Sequence, residues 1–281
     1  GRIGNHLQQI SNALVFARLC HLDFVQFPPH QNNTRAYSHQ IGLLDFPETL
    51  AIPERDLVNE GKIPKSCPRH FSHLWYGNYC TNIPMWFYRD TMIKYLKPHL
   101  GSLIQSCLER PREDWEDENL LTVHMRGDDT TKYPEYSWAQ PPCSMYEKII
   151  SEQKFDSILL VKKGPATCAP QLLVFAAANN ISVRTTATHQ NLDPSLKEEI
   201  WMRDARFLAE DFCALTRARH LVLSFSTYAL SAALLSPTLE TLYMRVEAPW
   251  DTLLKSPVNC QVWPGLSLYE YNIDVPSAKT R

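Results

Sequence analysis

The stretch Leu120-Leu121-Thr122-Val123-His124-Met125-Arg126-Gly127-Asp128-Asp129 runs from apolar residues straight into residues that can do chemistry. If the strand persists through Arg126, side-chain alternation sends His124 and Arg126 to the same face. An imidazole and a guanidinium would then share one site at the carboxyl edge of a sheet. The guanidinium fork can hold two oxygens of a diphosphate at once. A surface Arg–Asp pair closing a loop is the plain alternative. Asp128 and Asp129 also admit a divalent-metal reading, although adjacent carboxylates diverge unless a loop turns them together. Arg126-Gly127-Asp128 spells an integrin-recognised tripeptide, but a strand end disfavours its display on a loop tip.

A second stretch, Leu221-Val222-Leu223-Ser224-Phe225-Ser226-Thr227-Tyr228, carries a buried-strand pattern into hydroxyl residues and then a helix of small residues. Ser226 or Thr227 suits the N-cap, and the free amides of a helix N-terminus favour phosphate. An N-cap without a ligand is equally consistent with this stretch alone. Asp211 lies four residues after Phe207 and four before Leu215, in the middle of an apolar helical stripe. A carboxylate there needs a partner or a ligand; a local arginine (Arg206 or Arg217) and the edge of a guanine base both qualify. The series Cys67, His70, His73, Cys80 has zinc-ligand chemistry. Its spacing fits no common zinc module, and a Cys67–Cys80 disulfide is the favoured reading.

These residues need a scaffold with strand ends grouped at one edge. Apolar strands are predicted at Leu120–Val123, Ile158–Val161, Ile181–Arg184, Leu221–Leu223 and Leu242–Val246. Helical patterns fall between them near 143–152, 166–179, 197–218 and 228–235. Alternation of this kind predicts a parallel sheet covered on both faces. Upstream, Leu7, Ile10, Leu14 and Ala17 predict a helix to about Cys20, and Asp23–Phe27 a strand. Residues 30–90 show weak periodicity and predict short elements and long loops. We therefore expect two α/β lobes divided near residue 115.

Composition narrows the class. Hydrophobic residues at 44% and charged residues at 21% are ordinary globular usage. A net charge of −2 without a basic run argues against a nucleic-acid partner. No apolar stretch has the length to span a bilayer. The start on Gly1 without a preceding strand predicts a truncated N-terminus, to which any membrane anchor would belong. Eight cysteines permit disulfides, and Asn32-Asn33-Thr34 and Asn180-Ile181-Ser182 are N-glycosylation triplets. They tilt the reading weakly toward a secretory compartment such as the Golgi lumen.

In order along the chain, Gly1-Arg2-Ile3-Gly4-Asn5-His6, then His124-Met125-Arg126, then Asp211 with Ser226-Thr227 resemble the superfamily of α-1,2-, α-1,6- and protein O-fucosyltransferases. Those enzymes show a G-R-x-G-N-Q loop, an H-x-R-x-G/T-D segment and a late D-x-x-x-L…S-x-S-T-F strand–helix. The region Asp211–Leu234 is most similar to the α-1,2 branch. His6 departs from the usual Gln, Gly127 from Arg or Ser, and Tyr228 from Phe. The resemblance implies a GT-B arrangement of two facing Rossmann-like domains, with 1–115 on the acceptor side and 116–281 binding the nucleotide sugar. It implies transfer from GDP-fucose to a glycan hydroxyl, inversion at the anomeric carbon and no metal or other cofactor. By position, Arg126 would hold the β-phosphate, His124 would contact the nucleotide and Asp211 the guanine. Ser226 and Thr227 would hold the diphosphate, Ser224 would be a further donor-binding residue, and Gly1, Arg2 and Asn5 would line the opposite wall. Asp128, Asp129 and Glu135 are the base candidates. A xylosyl or arabinosyl donor, or a non-catalytic glycan-binding scaffold, are the competing readings. A dinucleotide oxidoreductase is disfavoured, since no G-x-G-x-x-G follows a strand.

Overall fold

The computed structural model describes residues 3–26, 44–45, 47, 49–52, 84–109, 118–127, 141–162, 164–186, 200–224, 226–244 and 262–270. Helix α1 (Ile3–Leu19) leads into an antiparallel ribbon of β1 (Phe24–Gln26) and β2 (Thr49–Ala51). Helix α2 (Met85–Thr91) continues into a π-helical turn (Met92–Leu96) and a 3₁₀ turn (Lys97–His99), and α3 (Ser102–Glu109) follows. From there strands and helices alternate: β3 (Leu120–Met125), α4 (Cys143–Gln153), β4 (Ser157–Lys162), α5 (Ala169–Ala178), β5 (Ser182–Thr185), α6 (Ile200–Thr216), β6 (His220–Val222), α7 (Thr227–Leu235), β7 (Thr241–Met244) and β8 (Ser267–Glu270).

The last six strands form one parallel sheet in the order β5-β4-β3-β6-β7-β8. The protein is therefore α/β, as its alternating pattern predicts. The chain steps outward from β3 to β5, crosses back to β6, and steps outward the other way. Strand order reverses between β3 and β6, and this is the switch point at which such sheets take their ligands.

At the central strands β3 and β4 both faces of the sheet are buried, which is why these strands read as largely apolar runs. Leu121, Val123 and Met125 join Ile158 and Leu160 in a core with α4 and α5. Leu120, Leu159, Leu221 and Leu223 belong to the other core, with α6, α7 and the N-terminal helices. Among the described residues, the segment before 116 contributes helices and an antiparallel ribbon, and a second parallel sheet is not among them. Its buried residues Leu7, Leu14, Phe87 and Leu96 share the core of the sheet. Residues 110–117, where the lobes were expected to divide, lie outside the described set.

Helix α1 begins earlier than its apolar repeat predicts. Gly1 to Asn5 suggests a loop, yet the helix is already formed at Ile3. Gly4 is in its first turn because α7 leaves no room for a side chain: a Cβ there would stand 2.5 Å from the backbone nitrogen of Tyr228. Further along α1, Arg18 is 3% exposed and donates to the Thr91 hydroxyl at 2.6 Å. It also pairs with Asp90 at 2.8 Å and lies over the Phe87 ring. A charge so far from water persists only with such partners, and these fasten α1 to α2.

The Cys143–Cys168 disulfide joins the start of α4 to the residue before α5. Closing a loop of that length removes chain entropy worth about 3 kcal/mol in the unfolded state. Cys20 and Cys213 are also disulfide-bonded, and no described cysteine is free. Cys67, His70, His73 and Cys80, with their disulfide and zinc readings, lie outside the described residues.

Candidate functional site

The switch point is lined by the strand ends that the sequence marks for chemistry. Strand β3 pairs with β4 on one side and β6 on the other, so His124 is held at the centre of the sheet. Its side chain is 8% exposed, and its Nδ1 lies 2.7 Å from the Ser224 hydroxyl oxygen. Ser224 follows β6, so this hydrogen bond spans the gap where strand order reverses. A neutral ring that accepts the Ser224 proton at Nδ1 carries its own proton at Nε2. Because the ring is neutral, the pair offers a fixed hydrogen-bonding group rather than a movable charge.

Burial is the main reason that this ring stays neutral, and the positive charge of Arg126 adds to it. Together they lower its pKa to about 3. Arg126 follows the same strand two residues on and is half-buried. The strand itself ends at Met125, one residue short of Arg126, so the shared face expected from an unbroken strand does not follow from alternation alone.

This burial has a stability consequence. The unfolded histidine takes up a proton near pH 6.5, whereas the folded one does not until about pH 3. Between those values the unfolded state binds more protons, so stability falls as pH falls. From pH 7 to pH 5 the His124 contribution amounts to a loss of about 2 kcal/mol. His124→Asn is expected to flatten this part of the curve, measured by urea unfolding at both pH values. An unchanged slope would show that His124 is not held neutral.

Helix α7 starts immediately beyond β6, and its N-cap is Ser226. The Ser226 hydroxyl accepts from the Ala229 amide at 3.4 Å, while Thr227 occupies the first helical position. The remaining amides of this first turn carry the positive end of the helix dipole. Because the cap hydrogen bond is long, Ser226→Ala is expected to cost only about 0.5–1 kcal/mol, read from the urea midpoint. A loss well above that would show that the hydroxyl has a further role in the fold.

Gly4 meets Tyr228 in the second residue of this same turn. The start of α1 is therefore carried to the start of α7, beside Ser226 and Thr227. Asn5 belongs to the first turn of α1; Gly1 and Arg2 lie outside the described residues, as do Asp128, Asp129 and Glu135.

Asp211 is half-buried in α6. Tyr228 is half-buried against that helix, and its hydroxyl donates to the Leu208 carbonyl. Burial, with the Asp211 charge as a second cause, pushes the phenol well above its ordinary pKa. The carboxylate thus stands close to the contact between α6 and the first turn of α7. Tyr228 is the member of this site that its sequence least announces. As a substitute for Phe in a motif it signals a changed residue, but not that it bears on α1, α6 and α7 together.

No protein-family model matches the chain, and no curated protein matches it. Among solved structures, the chain is similar to POFUT1 in complex with GDP, at TM-score 0.44 and 10% identity, over 87% of this chain and 95% of that chain. POFUT1 in complex with GDP-fucose gives TM-score 0.43 and 9% identity, over 87% of this chain and 94% of that chain.

Proposed function

We propose that this chain is a glycosyltransferase that moves fucose from GDP-fucose to a glycan hydroxyl, with inversion and without a metal ion. One observation carries the reading: the neutral His124–Ser224 pair spans the switch point, with Arg126 and the capped start of α7 at the same edge. A nucleoside diphosphate needs such a mixture, with one strong cation and several oriented donors in a site partly closed to water.

In the reaction the acceptor oxygen bonds to the anomeric carbon as the bond from that carbon to the β-phosphate oxygen breaks. The electron pair leaves on GDP, and the acceptor proton passes to a base or to solvent. Negative charge grows on the departing diphosphate. Arg126 and the α7 amides would stabilise it, and preorganised donors of this kind act without reorganising during the reaction. His124 would fix the nucleotide through a hydrogen bond, and Ser224 would hold the ring in its tautomer. Thr227 and Ser226 would complete the diphosphate cradle. Asp211 would accept from the guanine edge, and Gly1, Arg2 and Asn5 would form the facing wall. Asp128, Asp129 and Glu135 remain the proposed sources of a base.

Calorimetric titration with GDP, UDP and ADP in EDTA tests this reading. GDP is expected to bind at micromolar concentration without added metal, with UDP and ADP weaker. A preference for UDP would move the donor to another sugar nucleotide. Absence of binding by all three, in a protein shown to be folded, would overturn the transferase reading.

A further inference from the structure

The turn between α5 and β5 carries Asn180-Ile181-Ser182, an acceptor triplet for N-linked oligosaccharide. Such triplets recur by chance, so the surrounding structure has to decide whether this one is usable. Asn180 sits just past the end of α5 in the left-handed region, with φ 57°, and is exposed. Ile181 tucks back against the α5 core, its amide bonded to the Ala176 carbonyl at 2.9 Å. That hydrogen bond fixes the turn and leaves Asn180 standing out of it. Ser182 is exposed at the first position of an edge strand. Among the described residues, neither the Asn180 carboxamide nor the Ser182 hydroxyl is engaged in a hydrogen bond.

Two independent features give the triplet meaning. Cys20, Cys143, Cys168 and Cys213 are disulfide-bonded, which points to folding in an oxidising compartment. In eukaryotes that compartment also holds the machinery that glycosylates asparagine. The second feature is the outside of α5, which carries no charged residue: Pro170, Leu173, Val174, Ala177 and Ala178 are all exposed. Val174 is 72% exposed and Leu173 45%. Apolar surface of this kind, left bare, is an aggregation liability. Leu173, Ala177 and Asn180 follow one another at helical spacing, so the stripe leads to the triplet within about 10 Å.

We propose that Asn180 is N-glycosylated and that its oligosaccharide shields the uncharged outer face of α5. The donor class is an oligosaccharide linked to a lipid diphosphate. The carboxamide nitrogen bonds to the anomeric carbon and loses one proton, and the bond from that carbon to the diphosphate oxygen breaks. The host's oligosaccharide transferase carries out this step on the emerging chain, and the fold must then accommodate the product. The outward Asn180 turn does so without displacing any described contact.

The test is to secrete the full chain from a eukaryotic host behind a cleavable leader and map the Asn180 peptide by mass spectrometry. Peptide-level mapping separates this site from the Asn32 triplet. Oligosaccharide mass on Asn180, lost in Ser182→Ala, is expected. Ser182→Ala is also expected to bind more of an apolar fluorescent dye than the wild type. Adding Leu173→Lys and Val174→Lys to that variant should cancel the increase. Unmodified Asn180 in secreted, disulfide-bonded wild type would overturn the proposal, independently of whether any variant folds. Equal dye binding by the wild type and Ser182→Ala would overturn the shielding role.

Discussion

Replacing Arg126 with alanine is expected to remove measurable GDP binding and to lower kcat/KM for fucosyl transfer by several hundred-fold. The size follows from what the side chain is asked to do. A single preorganised donor to a developing oxyanion contributes about 3–4 kcal/mol to the transition state, and a guanidinium supplies charge and two hydrogen bonds together. Arg126→Lys should recover only part of the loss, because an ammonium keeps the charge but not the fork. Fold integrity can be read separately from the melting temperature, since Arg126 lies beyond the end of β3 and outside either apolar core. Near wild-type affinity for GDP in a folded Arg126→Ala protein would place the diphosphate elsewhere.

Gly4→Ala is expected to destabilise the protein by about 3 kcal/mol. At an exposed site in a helix the same change stabilises by about 1 kcal/mol, because alanine is the better helix former. Here the sign reverses. The added methyl would stand 2.5 Å from the nitrogen of Tyr228 and 2.8 Å from its Cα. Those are backbone atoms inside a helix and cannot swing aside, so α1 and α7 must separate. Separation would shift the first turn of α7, so GDP affinity is expected to fall together with the urea midpoint. A stabilised or unchanged Gly4→Ala protein would mean that the two helices do not approach so closely.

Much of the sheet was legible because its strands are buried on both faces. Leu120–Met125 and Ser157–Lys162 announce themselves by largely apolar runs, and the helices between them by their periodicity. Strand β8 escaped notice because Ser267–Glu270 is a short edge strand in which Ser267 and Tyr269 are exposed. Helix α2 escaped for a different reason: it passes into a π turn and then a 3₁₀ turn between Met85 and His99. Three helical periods in succession leave no single repeat to detect. The ribbon of β1 and β2 shows that a strand following a helix need not start a parallel unit.

At the site, β3 ends at Met125, so strand alternation alone does not carry Arg126 to the face of His124, and turn chemistry narrowed the cap to Ser226 or Thr227, of which the structure uses Ser226. The His124–Ser224 hydrogen bond was not readable, because it depends on β3 and β6 being neighbours, and a sequence does not order its strands. Gly4 has the same limitation. A glycine near a chain start suggests a loop, whereas this one is small because a helix from the far end of the chain lies against it.

That last contact also bears on the order of events during synthesis. Helix α1 leaves the ribosome well before α7, with about 200 residues of chain between them. At about 5–20 residues per second, the interval between them is on the order of ten to forty seconds. Throughout it, the side of α1 carrying Leu7, Ser11 and Leu14, each fully buried in the finished fold, lacks the cover that α7 will give. Non-local pairing of this kind slows folding, and it gives chaperones a defined early client segment in the nascent chain.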